Sequence, residues 1–500
     1  MKLSVMLERL QASGCECNII KGSLETEVTS LTSDSRKVTD GSAFVCIVGA
    51  VSDGHQYIDQ VIERKASVIV VQKGYADREF PDGITLVETD NTRKALAYMS
   101  AAFFGNPAEK LFTIGITGTK GKTTTTYMIR NVLEACGIET GLIGTIETII
   151  GEDTKASCNT TPESYEIHES FKKMVDAGCK AVVMEVSSQG LKLDRTAGIT
   201  FDIGVFTNLE PDHIGPNEHE SFEEYLNCKA MLFRQCKVGI VNGDDKHTEA
   251  VIAQAACEIE KYGLNEGNDL RAVNINLLQE RGRIGLTYDC QGLLNMAVEL
   301  DLPGKFSVYN SLCAIAVTRH LHVDEQVLKE TLKDVKVKGR IELIKVSDRF
   351  SLMIDYAHNA MALQSILETL KEYHPNRLVC LFGCGGNRSK ERRFEMGEVS
   401  GKLADLTIIT SDNPRFEEPE EIIKDIQTGI GKTTGAHVDI VDRKEAIKYA
   451  IQNGQQGDII VLAGKGHEDY QEIKGVKYPM DERVLIAEVL DELHSEGWEG

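Results

Sequence analysis

Five hundred residues exceed the size of one hydrophobic core, and a composition 42% hydrophobic and 26% charged is that of a globular chain, so two to four domains are expected. A formal net charge of −22 argues against a protein that coats nucleic acid, because so acidic a surface has little to exchange for phosphate counterions. Any phosphate site must therefore be local, built from backbone N–H groups and a few cations. The thirteen cysteines run from Cys15 to Cys384 without a CxxC pair and the twelve histidines form no spaced metal cassette, which points to reduced thiols and a cytoplasmic location.

In chain order, "MKLSVMLERLQASG" predicts a short amphipathic helix ended by Gly14; it lacks the apolar run of a signal peptide, and no later segment reaches membrane-spanning length. "SAFVCIVG" and "ASVIVVQK" are short β-rich runs bounded by Gly, Ser or Asp. "FFGNPAEK", Phe103 to Lys110, breaks that pattern as a linker. Apolar strands then alternate with helical patterns through "LFTIGIT", "KAVVMEV", "FDIGVFTN" and "KVGIVNG", the signature of a parallel sheet with crossover helices. After the basic run Lys333 to Arg340 the theme repeats in "NRLVCLFGCGG", "ADLTIITSDNP" and "GDIIVLAGKGHE", each a strand followed at once by a polar loop. The fold class expected is α/β in three domains, 1–105, 106–336 and 337–500, with a mostly parallel sheet in the middle one.

The strongest chemical signal is "LFTIGIT" running into Gly118, Thr119, Lys120, Gly121, Lys122, Thr123 and Thr124, followed by a helical pattern. Glycines let backbone N–H groups turn inward around phosphate oxygens, and the helix N-terminus adds positive potential. Lys122 would reach the terminal phosphates of ATP and the Thr123 hydroxyl would ligate Mg²⁺. The bland reading is a glycine-rich strand-to-helix turn. A second "GKTT", Gly431 to Thr434, follows a helical pattern rather than a strand, so it is expected to be a helix C-cap and loop. Glu185 ends the strand "KAVVMEV", where acidic residues commonly hold Mg²⁺ beside a phosphate loop. Asn208, Asp212 and His213 end the next strand at the same edge; alternatively Asp212 caps the following helix and His213 packs.

Taken in order, "GITGTKGKTTT", "NTTPE", "EVSSQGL", "TNLEPDH", "DYAHN", "FGCGGNR", "SDNPR" and "LAGKGHE" resemble the Mur ligases over nearly the whole chain, and within them the branch that adds the third residue to UDP-N-acetylmuramoyl-L-alanyl-D-glutamate. The resemblance implies a UDP-substrate-binding N-terminal domain (1–105), a central P-loop ATPase domain (106–336) and a Rossmann-like, amino-acid-binding C-terminal domain (337–500), which together carry out ATP-dependent, Mg²⁺-assisted amide formation in peptidoglycan synthesis through an acyl phosphate. It implies a cytoplasmic monomer acting on the UDP-muramoyl-dipeptide and a diamino acid, without nucleic acid or membrane insertion. By motif, Gly118 to Thr124 bind ATP together with Asn310, Arg340 and Asp355, while Thr123, Glu185 and His213 hold Mg²⁺. Lys122, His213 and Lys229 serve catalysis, and Lys229 stands where the family carries a carbamylated lysine; on its own it would be a lysine on a helix surface. Ser35, Asn159, Thr160, Thr161, Ser187 and Arg195 correspond to contacts with the UDP substrate.

Arg388, Asp412, Asn413, Pro414, Arg415, Gly464 and Glu468 correspond to the residues that bind the incoming amino acid, meso-2,6-diaminopimelate where the spelling is "DNPR". An Arg fork matches that substrate's far carboxylate in bidentate geometry, whereas lysine would leave the guanidinium unpaired. The bland reading pairs Arg415 with Glu417 or Glu418. Four departures mark a divergent branch: Ala360 where proline is usual, Ser307 where asparagine is common, and altered spellings after Arg388 and after His213. The alternatives left open are L-lysine or another diamino acid as substrate, and a nucleotide-gated binding protein without catalysis.

Overall fold

The computed structural model describes residues 1–49, 52–212, 214–215, 218–280 and 282–498. The chain packs as two compact units, residues 1–269 with 313–323, and residues 270–312 with 324–500. Among the described residues no helix is long and apolar enough to cross a membrane.

The first unit opens with the helix Leu3–Ala12, whose Leu3, Met6, Leu7 and Leu10 recur at helical spacing and are all buried. They pack with Ala95, Leu96 and Met99 of the helix Thr92–Phe103 on one face of a five-stranded sheet. Its spatial order is Cys17–Lys21, Thr85–Thr89, Val68–Gln72, Ser42–Val45, Ser30–Thr32, and only the first pair is antiparallel. "VIVV" is apolar throughout because helices or loops cover both faces of that strand.

The same unit holds a larger sheet. Strands Glu258–Gly263, Cys236–Asn242, Phe201–Phe206, Phe112–Thr117, Ala181–Glu185 and Thr140–Ile143 are neighbours in that order and all parallel. Two short antiparallel strands, Glu147–Ile150 and Asp153–Ala156, extend the sheet beyond Thr140–Ile143. The register sets Glu185 opposite Ile116 and Phe206 opposite Thr117. Three successive strands therefore release their loops at one carboxyl edge.

The second unit carries the antiparallel strands Leu270–Glu280, Arg283–Gly292 and Met296–Leu300 and a six-stranded sheet. The order of the latter is Glu342–Ile344, Ser351–Asp355, Ile459–Ala463, Leu378–Phe382, Leu406–Ile409, Ala436–Asp439, parallel except at the first pair. Asp355 and Phe382 both sit opposite Ala463, and Phe382 opposite Ile409, so the loops that follow 382, 409 and 463 lie side by side. A separate hairpin, Tyr470–Ile473 with Val476–Pro479, follows the last of them. The architecture is the expected α/β one, with mostly parallel sheets. The second "GKTT" is indeed a helix end: Gly431 is the C-cap of Pro419–Ile430, and the Thr433 hydroxyl donates to the Ile430 carbonyl.

Candidate active site

The strand Phe112–Thr117 hands over to the helix Lys122–Ala135 through a loop in which Gly118 and Gly121 have φ of 152° and 81°. A Cβ on Gly118 would lie 1.9 Å from the Thr207 hydroxyl, so this position needs glycine for close approach as well as for its backbone angle. Asn208, released by the neighbouring strand, frames the loop. Its carbonyl accepts from Thr119 N–H at 2.9 Å and its side-chain oxygen from Lys120 N–H at 2.8 Å. Lys120 itself pairs with Glu210 at 2.7 Å.

Two ammonium groups meet over this loop. Lys122 donates to the carbonyls of Gly118 and Thr119 at 2.8 and 3.1 Å, and Lys229 donates to Gly118 at 2.9 Å. Lys229 is not a surface lysine: it is 1% exposed, and its ammonium stands over the Tyr225 ring. Burial strips its hydration and Lys122 adds like charge, so the Lys229 amine is held well below the usual lysine range, with Asp212 opposing. Behind the loop, Thr123 donates to Glu185 at 3.1 Å, and Thr145 donates to the same carboxylate through N–H and hydroxyl at 2.8 and 3.0 Å. Thr123 and Glu185 thus bring a hydroxyl and a carboxylate together beside the loop, a donor set that fits a hard divalent cation. His213 lies outside the described residues. Asp212 does not cap the next helix, Phe222–Ala230; Ser221 does, accepting from Glu224 N–H at 3.1 Å.

A second cluster branches from Glu185. Thr161, 1% exposed, donates to the Glu185 carbonyl at 2.9 Å and accepts from Ser187 N–H at 2.9 Å, while Thr160 and Thr145 share a hydroxyl contact of 3.0 Å. Arg195 donates to the Thr161 carbonyl at 2.8 Å and pairs with Glu163 at 2.7 Å. Asn159 is exposed beside them. Ser35 sits apart, buried in the 3₁₀ turn Ser35–Lys37 that follows the strand Ser30–Thr32. Sequence reasoning missed Arg93, which reaches Glu163 at 3.5 Å from the helix Thr92–Phe103. Nothing in "NTRKAL" announces it, because the contact joins segments seventy residues apart.

The second unit holds the remaining predicted residues, most of them in loops at the carboxyl edge of its six-stranded sheet. Asp355 accepts from Ile341 and Ala357 N–H at 2.9 Å each; burial pushes its carboxyl up, against the charge of Arg340. Arg340 lies over the Tyr356 ring at 4.9 Å, and the Tyr356 hydroxyl reaches Glu468 at 3.4 Å. Asn310 is buried in the helix Lys305–Arg319. Ser307, one turn earlier, spends its hydroxyl on the Pro303 carbonyl at 2.8 Å.

The loops after 382 and 409 are zipped together. Gly386 N–H donates to the Asn413 carbonyl at 2.8 Å, and a Cβ on Gly386 would meet the Pro414 carbonyl oxygen at 1.9 Å. A Cβ on Gly385 would sit 3.1 Å from Arg415 Nη1 and 3.9 Å from Arg388 Cγ, so both predicted cations flank that glycine. Arg415 does not pair with Glu417 or Glu418. Its Nε donates to Glu472 at 3.1 Å and its Nη1 to the Gly386 carbonyl at 2.7 Å, whereas Glu417 is taken by the buried Arg393 at 2.8 Å. The neighbouring loop after 463 adds a buried cluster that sequence reasoning only half found. Lys465, 0% exposed, donates to Asn413 Oδ1 at 3.1 Å and Glu468 Oε2 at 2.9 Å and lies 3.9 Å from Asp412. Burial alone would raise Glu468, but Lys465 and the Asn413 amide hold it below the usual carboxylate range. Gly464, at φ 106°, donates to the Asp355 carbonyl at 3.0 Å and so ties this loop to the strand beside it.

Three family models match the chain: the Mur ligase family catalytic domain over residues 27–104, the Mur ligase middle domain over 116–318, and the Mur ligase glutamate ligase domain over 339–466. The UDP-N-acetylmuramoyl-L-alanyl-D-glutamate--2,6-diaminopimelate ligase of Clostridium perfringens is 40% identical over 493 residues, 97% of this chain and all of that one. The first such ligase of Clostridium acetobutylicum is 43% identical over 479 residues, covering 95% of this chain and 97% of its own. The chain belongs to the Mur ligase family. A solved structure of a UDP-N-acetylmuramoyl-L-alanyl-D-glutamate--2,6-diaminopimelate ligase superposes with a TM-score of 0.71 at 29% identity, covering 95% of this chain and 97% of the other. MurF from Acinetobacter baumannii, 18% identical over 98% of both chains with a TM-score of 0.61, shares the fold. In Mur ligase terms the phosphate loop, Glu185 and Lys229 fall in the middle domain, and Asp355, Arg388 and Asp412 to Arg415 in the glutamate ligase domain.

Proposed function

We propose that this Mur ligase joins meso-2,6-diaminopimelate to the D-glutamate carboxylate of UDP-N-acetylmuramoyl-L-alanyl-D-glutamate, an ATP-dependent amide-forming step of peptidoglycan synthesis. Relatives of that name at about 40% identity over almost the full chain support the reaction. The observation that carries the choice of amine is that two arginine side chains and two carboxylates come from adjacent loops of the second unit's sheet edge. Arg388 and Arg415 flank Gly385, while Glu468 and Asp412 gather around Lys465. A substrate with a carboxylate and an ammonium at its far end fits that pattern: the Arg fork takes the carboxylate and Glu468 the ammonium. Lysine, lacking the far carboxylate, would leave the guanidinium unsatisfied, an omission that can cost roughly 10⁴-fold in discrimination.

ATP supplies the phosphoryl group that makes the glutamate oxygen a leaving group, and Mg²⁺ offsets the charge that develops. In this reading Gly118 to Thr124 cradle the phosphates with Lys122 as their cation, and Thr123, Glu185 and His213 would hold the metal. Asn310, Arg340 and Asp355 are assigned to the nucleotide as well. Ser35, Asn159, Thr160, Thr161, Ser187 and Arg195 bind the UDP substrate. Lys229 is a carbamylation site, for which its burial is the support: a neutral amine is the form that adds CO₂, and desolvation shifts the lysine toward that form. Three domains, 1–105, 106–336 and 337–500, fit the spans of the three family models. In the same reading the enzyme is a cytoplasmic monomer.

The test is direct. Purified protein with ATP, Mg²⁺, UDP-N-acetylmuramoyl-dipeptide and either meso-diaminopimelate or L-lysine is assayed for phosphate and tripeptide. Turnover with diaminopimelate is expected; no phosphate with any amine removes the ligase reading, and turnover with lysine alone removes the specificity.

A further inference from the structure

The strand Tyr470–Ile473 contains none of the residues assigned above, yet it binds almost every residue of the "SDNPR" loop. Gln471 Nε2 donates to the Ser411 hydroxyl at 3.1 Å and the Asp412 carbonyl at 2.7 Å. Glu472 N–H donates to Asn413 Oδ1 at 2.9 Å, which together with Lys465 fixes that amide so that its Nδ2 donates to Glu468 at 2.9 Å. Arg415 N–H donates to the Glu472 carbonyl at 2.9 Å, Lys474 N–H returns to the Arg415 carbonyl at 2.6 Å, and Arg415 bridges Ile473 in parallel fashion. Those two bonds hold Arg415 at a φ of 53°, a left-handed conformation that a non-glycine residue keeps only when its surroundings over-determine it. The Glu472 carboxylate then takes Arg415 Nε at 3.1 Å, and the Gly386 carbonyl takes Nη1 at 2.7 Å. Among the described residues Nη2 makes no hydrogen bond, so the fork is pinned from behind with its outer edge open.

We propose that Glu472, on the strand Tyr470–Ile473, is a positioning residue for amino-acid selection: it holds the Arg415 guanidinium in the orientation that receives the substrate's far carboxylate. This rests on the diaminopimelate reading above and extends it to a residue that touches no substrate. A long arginine side chain must otherwise be ordered at the moment of binding, and pre-ordering it is what Glu472 contributes. Glu472 has a second effect. As an acceptor on Nε it takes one of the five guanidinium donors and leaves the Nη2 protons for a further carboxylate.

The experiment uses the full-length enzyme with ATP, Mg²⁺ and the UDP-dipeptide, titrating meso-diaminopimelate and, separately, L-lysine. Glu472→Ala is expected to raise KM for diaminopimelate about tenfold, the scale of re-ordering one long side chain on binding. Its preference over lysine falls by a similar factor, while kcat at saturating amine and KM for ATP stay within about twofold on the same ground. Glu472→Gln, which keeps an acceptor oxygen, restores most of the loss. In an Arg415→Ala background, Glu472→Ala adds less than about twofold, because residues acting as one unit are not additive. Equal effects in both backgrounds, a fall in kcat, or a rise in KM for ATP would overturn the proposal in favour of general loop support. Should Glu472→Ala fail to fold, Glu472→Gln alone carries the test through its smaller shift in the same two constants. Wild-type enzyme that makes no tripeptide from diaminopimelate defeats the functional reading itself. Wild-type enzyme that discriminates normally beside an unaltered Glu472→Ala defeats this inference alone.

Discussion

Arg415 and Glu417 stand two positions apart and have opposite partners from those their order suggests. Glu417 answers to Arg393, which is 1% exposed and also holds Asp425 at 2.8 Å. Arg393 is the first cause that draws the Glu417 carboxyl down from 4.5 to about 2, with the Asn387 N–H assisting. Between those values the unfolded chain binds the proton and the folded chain does not, so stability rises with pH there; the contribution is complete above 4.5 and lost as pH falls toward 2. Arg393→Met is therefore expected to cost about 1.5–3 kcal/mol at neutral pH, the scale of lost charge-assisted hydrogen bonds. Urea midpoints measured from pH 7 down to pH 3 should converge with those of the wild type as the acid is titrated; a gap that stays constant would show that Arg393 acts through packing alone. None of this pairing was legible in "SDNPRFEEPEE", because Arg393 comes from a helix that a parallel crossover brings alongside. Lys229 was legible only by its place after "TNLEPDH"; its burial comes from tertiary packing.

At the scale of elements, the punctuation of the chain was the readable part. Gly14 follows the first helix, Gly118 and Gly121 open the phosphate loop, and Gly431 closes the helix that made the second "GKTT" a decoy. Ala360 is instructive for the opposite reason. Proline is usual there, but the position is the first residue of the helix Ala360–Lys371, and Asn359 already caps it by accepting from Ala362 N–H at 2.9 Å. The first helical N–H has no partner within a helix, and Asn359 is extended at φ −142°, ψ 165°, which a following proline tolerates. Ala360→Pro should thus stabilise by about 0.4–1 kcal/mol through the unfolded chain, with kcat unchanged. Chemical denaturation and a turnover assay check it together, and a loss of stability would mean that the backbone at this helix start is not what the cap implies.

At the scale of the molecule, the residues assigned to the amino acid lie in the second unit and the glycine-rich loop assigned to the phosphates in the first, so the two ligands should protect different segments. A ligand at one hundred times its Kd stabilises the folded state that binds it by about 2.7 kcal/mol. Hydrogen exchange with meso-diaminopimelate is expected to protect 383–388, 411–416 and 464–474, whereas ATP with Mg²⁺ protects 118–124; diaminopimelate that slowed exchange only at 118–124 would contradict the assignment. The sequence by itself determined the α/β class, the glycine-rich turn from strand to helix at 118–124 and which strands are followed at once by polar loops. Those depend on local signals: strand period, glycine at backbone turns, and a motif that keeps cation, hydroxyl and glycine within a few residues. Only the tertiary structure decided which charges meet. It sent Glu417 to Arg393, pinned Arg415 to Glu472, buried Lys465 among Asp412, Asn413 and Glu468, and brought Arg93 to Glu163. The physical reason is that an ion pair is fixed by where the backbone delivers two side chains and how much water remains between them, and neither is encoded by neighbourhood along the chain.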